Sequence, residues 1–96
     1  MPYVLRHRDT GEIAAAVMKN VYDLDYFGVK WWATQEEAEA ERDAWSAGRE
    51  ASGAADWEVV QMDESRIKLM NVKLKNNPAL MILVQPDGRL EAKRRE

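Results

Sequence analysis

The chain has 96 residues, of which 46% are hydrophobic and 32% charged, and its formal net charge is -3. This composition excludes a chain kept disordered by low hydrophobicity and high charge, and the length predicts one domain. The absence of cysteine excludes disulfides and thiolate metal sites and favours a reducing compartment. Because we find neither the apolar run of a signal peptide nor one of membrane-spanning length, we expect a cytoplasmic protein that is not embedded in a membrane.

The charges are distributed unevenly along the chain. Residues 1–32 carry four basic and four acidic groups, residues 33–64 carry two against ten, and residues 65–96 carry eight against three. An acidic middle and a basic end can attract each other within the fold, drive head-to-tail association, or present a basic patch to a polyanion. We favour the first of these, because most charge runs form solvated faces of a domain.

The first elements in chain order are predicted to form a hairpin. Residues 3–8 and 12–19 contain the apolar runs, and Asp9, Thr10 and Gly11 lie between them. A short loop with Asp and Gly is typical of a turn between strands, since Gly accepts a positive φ.

An aromatic segment follows, with five of the eight aromatic residues of the chain inside eleven positions. Residues 26–33 read as a strand, and side chains on a strand alternate between its two faces. Phe27, Val29 and Trp31 then share a core face, and we expect truncation of Trp31 to destabilise the fold strongly. The other face carries Tyr26, Gly28, Lys30 and Trp32.

This second aromatic face is the most site-like arrangement in the sequence. Tyr26 and Trp32 bracket Gly28 and the cation Lys30, a pattern suited to a planar ligand, a peptide or unstacked bases. Three interpretations are open: burial by the following helix or its Trp45, burial by a partner subunit, or a ligand surface. We favour intramolecular burial, because aromatic clusters more often belong to a core.

A helix is predicted to begin at Thr34. The sequence Thr-Gln-Glu-Glu is a capping box, in which the Thr34 hydroxyl accepts a hydrogen bond from the Glu37 N–H. The helix is expected to end at Gly48 or at Ala51, with a linker over residues 52–56. Residues 57–62 then read as a strand.

Residues 66–75 fit two structures. A helix gathers Ile67, Met70 and Leu74 on one face but leaves Leu69 and Val72 on the opposite one. A bulged strand collects all five apolar side chains on one face. We favour the helix, because the segment is rich in helix-forming residues and is followed by Asn-Asn-Pro.

The last segment reads as a second hairpin, with residues 79–85 and 89–92 around a Pro-Asp-Gly turn. The elements together predict an α+β domain over residues 1–96, in the order β-β-β-α-β-α-β-β. We expect a largely antiparallel sheet with one or two helices packed on one face.

The sequence offers few residues for chemistry. The single histidine, His7, removes most metal sites, and no serine lies in a Gly-flanked elbow that would make it a nucleophile with His7 as base. The five glycines are isolated, which excludes a Gly-rich phosphate loop, and we predict neither metal nor cofactor. Asp23 and Asp25 flank Leu24 and, if the stretch is extended, face the same way and could share a proton or bind a cation. We favour a solvated loop, in which Asp is common because it bonds to the turn backbone.

Three functions are compatible with these residues. The favoured one is a non-enzymatic protein-interaction module, with self-association as one form of it, acting through Tyr26, Lys30, Trp32, Asp23 and Asp25. The first alternative is single-stranded nucleic-acid binding, with Tyr26 and Trp32 as stacking platforms and Lys73, Lys75, Arg94 and Arg95 on phosphates. An acidic isoelectric point argues against that alternative. The second is a small enzyme using Asp23 and Asp25.

Overall fold

The computed structural model describes residues 1–47 and 56–94. It confirms the predicted α+β class and the element order β-β-β-α-β-α-β-β. The elements are β1 (Tyr3–His7), β2 (Ala15–Lys19), β3 (Asp25–Val29), α1 (Gln35–Ala47), β4 (Trp57–Gln61), α2 (Glu64–Leu74), β5 (Leu80–Val84) and β6 (Leu90–Arg94).

Strand β1 connects the antiparallel strand pairs. β4 lies along one edge of β1, in a register that sets Leu5 opposite Val59. On the other edge the Ala14 N–H donates to the Leu5 carbonyl at 2.9 Å, and Tyr3 and Trp32 exchange two backbone hydrogen bonds of 2.9 Å. β1 is thus hydrogen-bonded along both of its edges.

The predicted N-terminal hairpin forms, but it is short. The His7 N–H donates to the Glu12 carbonyl, and Gly11 adopts φ +82° in the turn. A Cβ at Gly11 would lie 2.5 Å from the Val84 carbonyl oxygen, so the close approach of β5 also requires glycine here. Beyond this turn the chain leaves β1, and β2 pairs with β3 through residues 15–19 and 25–29.

Both helices begin as their sequences predict. The Glu37 N–H donates to the Thr34 hydroxyl at 3.2 Å, which is the expected half of the capping box. Residues 35–47 of α1 are described, and the predicted ends at Gly48 or Ala51 and the linker over 52–55 lie outside the described residues. Asp63 caps α2 by accepting from the Ser65 N–H at 2.9 Å.

Residues 66–75 form a helix, as favoured from the sequence. Ile67, Met70 and Leu74 are buried, whereas Leu69 and Val72 are exposed on the opposite face. The helix ends at Lys75, which adopts a left-handed conformation with φ 53°. At the chain end, the β5–β6 hairpin closes with a 2.8 Å hydrogen bond from the Gly88 N–H to the Gln85 carbonyl.

The buried residues form two clusters on opposite faces of β1. Val4 and Leu5 are neighbours on that strand and point to opposite sides, and each enters a different buried cluster. The larger cluster lies under α2 and contains Val4, Ile13, Ala15, Phe27, Val29, Met62, Ile67, Met70, Leu74 and Ile82. The smaller one lies towards α1 and contains Leu5, Ala14 and Trp57, with Trp32, Trp45 and Val59 packed against it.

Candidate functional site

The two adjacent tryptophans differ in environment. Trp31 is 52% exposed, so the prediction that it joins Phe27 and Val29 in the core is wrong. β3 ends at Val29, and the backbone of Trp32 is held by Tyr3. The alternation of side chains along β3 therefore ends before Trp31 and does not place this residue on the core face.

Trp31 instead borders a groove of about 260 Å³ beside α2. The groove is lined by Pro2, Trp31, Glu64, Ile67, Lys68 and Asn71. The indole and Ile67 offer apolar contact, while Glu64 and Lys68 place one charge of each sign at its walls. A groove of this size accepts one apolar side chain of a partner rather than an extended substrate.

Trp32 packs against α1. It is half-buried beside the smaller cluster together with Trp45, whose ring meets that of Trp57 edge-on with centroids 5.8 Å apart. The Lys30 ammonium lies 5.8 Å from the centroid of the Trp32 ring, a cation–π contact. Helix α1 therefore covers the Trp32 end of the predicted second aromatic face.

A second groove of about 210 Å³ lies between Trp32 and helix α1. Its lining residues are Lys30, Trp32, Glu41, Ala44 and Trp45. Lys30 already occupies a position over the Trp32 indole. The arrangement is accounted for by packing of α1 on the sheet.

Tyr26 lies on the hairpin of β2 and β3, two residues from Gly28 on the same face. Its Cε2 atom is 2.9 Å from where a Cβ of Gly28 would stand, so the ring covers the glycine backbone. Tyr26 and Lys30 are both half-buried. The rings of Tyr26 and Trp32 therefore flank Gly28 and Lys30. The Trp32 ring is packed under α1, whereas the Tyr26 ring lies against the backbone of β3.

The two predicted carboxylates lie at the end of this hairpin. The Lys19 ammonium is 3.6 Å from the Asp23 carboxylate and 3.2 Å from that of Asp25, and all three side chains are exposed. Asp23 has φ 61°, as a turn residue does. Among the residues described, no group of three or more His, Asp or Glu side chains is arranged to hold a metal ion.

The hairpin end also exposes an apolar cluster that the sequence reasoning missed. We define the hairpin tip as Val17, Val21, Tyr22 and Leu24, all of which are exposed, Val21 at 91% and Tyr22 at 79%. The signal was present in the sequence as three large apolar residues within the predicted connection over residues 20–25, where polar residues are usual.

Hydrogen bonds of Asn20 hold the tip in one conformation. Its side-chain oxygen accepts from the Tyr22 N–H at 2.8 Å and from the Leu24 N–H at 3.1 Å. Its backbone N–H donates to the Leu24 carbonyl at 3.0 Å, and its carbonyl accepts from the Asp23 N–H. The exposed side chains are therefore presented by an ordered turn.

The predicted basic patch lies on a different part of the molecule. Lys75 and Arg94 are exposed and Lys73 is half-buried, at the end of α2 and on β6, while Arg95 lies outside the described residues. Tyr26 lies on β3, and Trp32 lies beyond the end of that strand. The proposed stacking rings and the proposed phosphate-binding cations therefore belong to different elements.

His7 has a structural environment. Its Nδ1 atom accepts from the Asp9 and Thr10 N–H groups at 3.2 and 3.3 Å, and its ring meets that of Trp57 edge-on at 5.1 Å. At Asp63, hydrogen bonds from the backbone N–H and hydroxyl of Ser65 lower the pKa of the carboxyl. That carboxylate caps α2, so the shift reflects helix capping.

No protein-family model, curated protein or solved structure matches the chain. Within residues 1–47 and 56–94, no helix is long and apolar enough to cross a membrane. On the surface of the described residues, the hairpin tip and the groove beside Trp31 are the main apolar features.

Proposed function

We propose that the protein is a non-enzymatic protein-interaction module and that the hairpin tip is its contact surface. The observation that carries this proposal is the exposure of three large apolar side chains on one ordered turn, together with a fourth, Val17, on the adjoining strand β2. Contiguous apolar groups on the surface of a soluble protein are costly to solvate and usually mark a binding site.

The order of the turn supports binding as well. Because Asn20 already fixes the backbone of Tyr22 and Leu24, a partner would not have to supply the entropy of ordering the loop. Tyr22 contributes a large rigid ring with a polar end, a residue type enriched in the centres of interfaces.

The charges around the tip fit the same function. Lys19, Asp23 and Asp25 form a partly compensated ion cluster at the base of the turn. An apolar centre with a polar rim is the usual arrangement of a protein interface. The predicted partner residues Asp23 and Asp25 would then act as rim residues of this surface.

Site-specific photo-crosslinking tests the proposal. A photoreactive phenylalanine analogue replaces Tyr22 in one protein and Glu91, which is exposed on β6, in another. We expect a discrete crosslinked protein from position 22 in a lysate of the source cells and none from position 91. The same band at both positions, or none at position 22, would contradict the assignment.

A pair of serine variants provides the matched control. Val21→Ser with Tyr22→Ser should abolish capture of the crosslinked protein, whereas Val72→Ser, at another exposed apolar position, on α2, should not. Retention of the partner by the double variant would remove the tip from the interface.

A further inference from the structure

The acidic helix α1 and the basic helix α2 pack on clusters that lie on opposite faces of β1. α1 makes its main contacts with β1 and β4, whereas α2 contacts β3, β5 and β6. The clusters beneath the two helices contain Leu5 and Val4, which point to opposite faces of β1. The two helices therefore cannot neutralise each other across the fold.

α1 presents an acidic surface. Residues 35–47 contain five carboxylates and one guanidinium. Four of the carboxylates, Glu36, Glu37, Glu39 and Glu41, are exposed, and none of them forms an ion pair with a basic side chain in the part of the chain that the structure describes. These four carboxylates of α1 are therefore directed to solvent.

α2 presents a surface that is both basic and apolar. Residues 64–75 contain four basic side chains and one acidic one. We define the α2–Trp31 surface as Trp31, Lys68, Leu69, Val72 and Lys75, all exposed.

The members of this surface are neighbours. Lys68 and Val72 are four residues apart on the helix and Leu69 and Val72 are three apart, spacings that place side chains side by side. Lys75 follows directly as the C-cap of the helix. Lys68 also shares the groove with Trp31. Apolar side chains thus lie between two ammonium groups.

We propose that the chain associates head to tail, with α1 of one copy docked on the α2–Trp31 surface of the next. Charge complementarity selects this occupant, because two copies of the α2–Trp31 surface, or two of α1, would repel each other. Such a contact joins two different surfaces, so it leaves one of each unfilled and allows rings or chains to form. It is independent of the hairpin tip.

Sedimentation velocity over a concentration series tests the proposal. We expect the average mass of the wild-type protein to rise with concentration at about 0.02 M salt and to fall back at about 0.5 M, where the Debye length shrinks from roughly 20 Å to roughly 4 Å. A monomer at every concentration in low salt would overturn the proposal.

Charge reversal identifies the two surfaces. One variant carries Glu36→Lys and Glu39→Lys, and the other carries Lys68→Glu and Lys75→Glu. Each alone should lose at least about tenfold in association constant, since each then sets like charges against each other. An equimolar mixture should associate again, because each variant offers the surface that the other lacks. Failure of the mixture to associate would contradict the pairing of these two helices.

Two controls keep the result interpretable. Arg89→Glu with Lys93→Glu changes the net charge as much as the α2 variant does but alters exposed residues of the β5–β6 hairpin, so association should persist. Circular dichroism and urea midpoints show whether each variant is folded, and the mixture would not recover if either were unfolded. Loss of association in Val21→Ser with Tyr22→Ser, but not in the charge variants, would assign self-association to the hairpin tip instead.

Discussion

The side-chain oxygen of Asn71 accepts a hydrogen bond from the backbone N–H of Val29 at 2.9 Å. β3 pairs with β2 on one edge, and this bond comes from α2 on the other. The Asn76 side chain accepts from the Phe27 N–H at 2.5 Å in the same way. Two asparagines thus take the place of a neighbouring strand and close an edge that would otherwise offer unpaired N–H groups.

Replacing Asn71 by Ala should destabilise the protein by about 1–3 kcal/mol, because Val29 is buried and its N–H would lose its acceptor. Urea unfolding followed by tryptophan fluorescence measures the change. Val72→Ala, the next residue on the exposed face of α2, should stay within about 0.5 kcal/mol of the wild type. Equal effects of the two substitutions would mean that the hydrogen bond contributes nothing to stability.

Two close neighbours leave little room for a side chain at Gly28. A Cβ there would lie 2.9 Å from Tyr26 Cε2 and 3.0 Å from Asn71 Oδ1. Gly28→Ala should therefore cost about 1–3 kcal/mol through steric displacement. Adding Tyr26→Ala should recover part of that loss relative to the sum of the single changes, since it removes the nearer atom. Additive free energies of unfolding in this double-mutant cycle would disprove the role of the Tyr26 ring.

The elements with local signals were predictable from the sequence. The capping box at Thr34 and the Pro-Asp-Gly turn at residues 86–88 depend on neighbouring residues alone, and both form. The helix at residues 66–75 was also favoured correctly, although its exposed Leu69 and Val72 oppose a simple amphipathic pattern. Leu69 and Val72 are surface residues, and whether a helical residue lies at the surface depends on which other elements pack against its helix.

Other features depended on tertiary pairing and escaped prediction. β2 was assigned wholly to the first hairpin, yet its described length pairs with β3. The hairpin tip was taken as a connection, because exposed apolar residues cannot be distinguished from buried ones by composition. No local pattern indicates that Asn71 and Asn76 would bind the edge of β3 from 42 and 49 residues away.

Substitution of two tryptophans tests the finding that Trp31 lies outside the core. Trp31 is 52% exposed, so Trp31→Ala should change the free energy of unfolding by less than about 1 kcal/mol. Trp57 is 1% exposed and its ring meets those of His7 and Trp45 edge-on, so Trp57→Ala should cost about 3–5 kcal/mol. If Trp57→Ala does not fold, Trp57→Phe gives a smaller loss that can still be compared. A larger loss at Trp31 than at Trp57 would restore the original core assignment.

Asp63 should make the stability of α2 depend on pH. Its pKa is lowered in the folded protein by the hydrogen bonds from Ser65, so the unfolded chain binds a proton more readily than the folded one. The resulting stabilisation is fully present above the ordinary aspartate pKa of about 3.9 and is lost as the pH falls through the lower folded value. Asp63→Asn keeps a capping side chain without the charge. The difference in free energy of unfolding between wild type and Asp63→Asn, measured in urea from pH 7 to pH 3, should therefore shift against the wild type below about pH 4. A difference that stays constant across this range would show that the charge of Asp63 does not stabilise the helix.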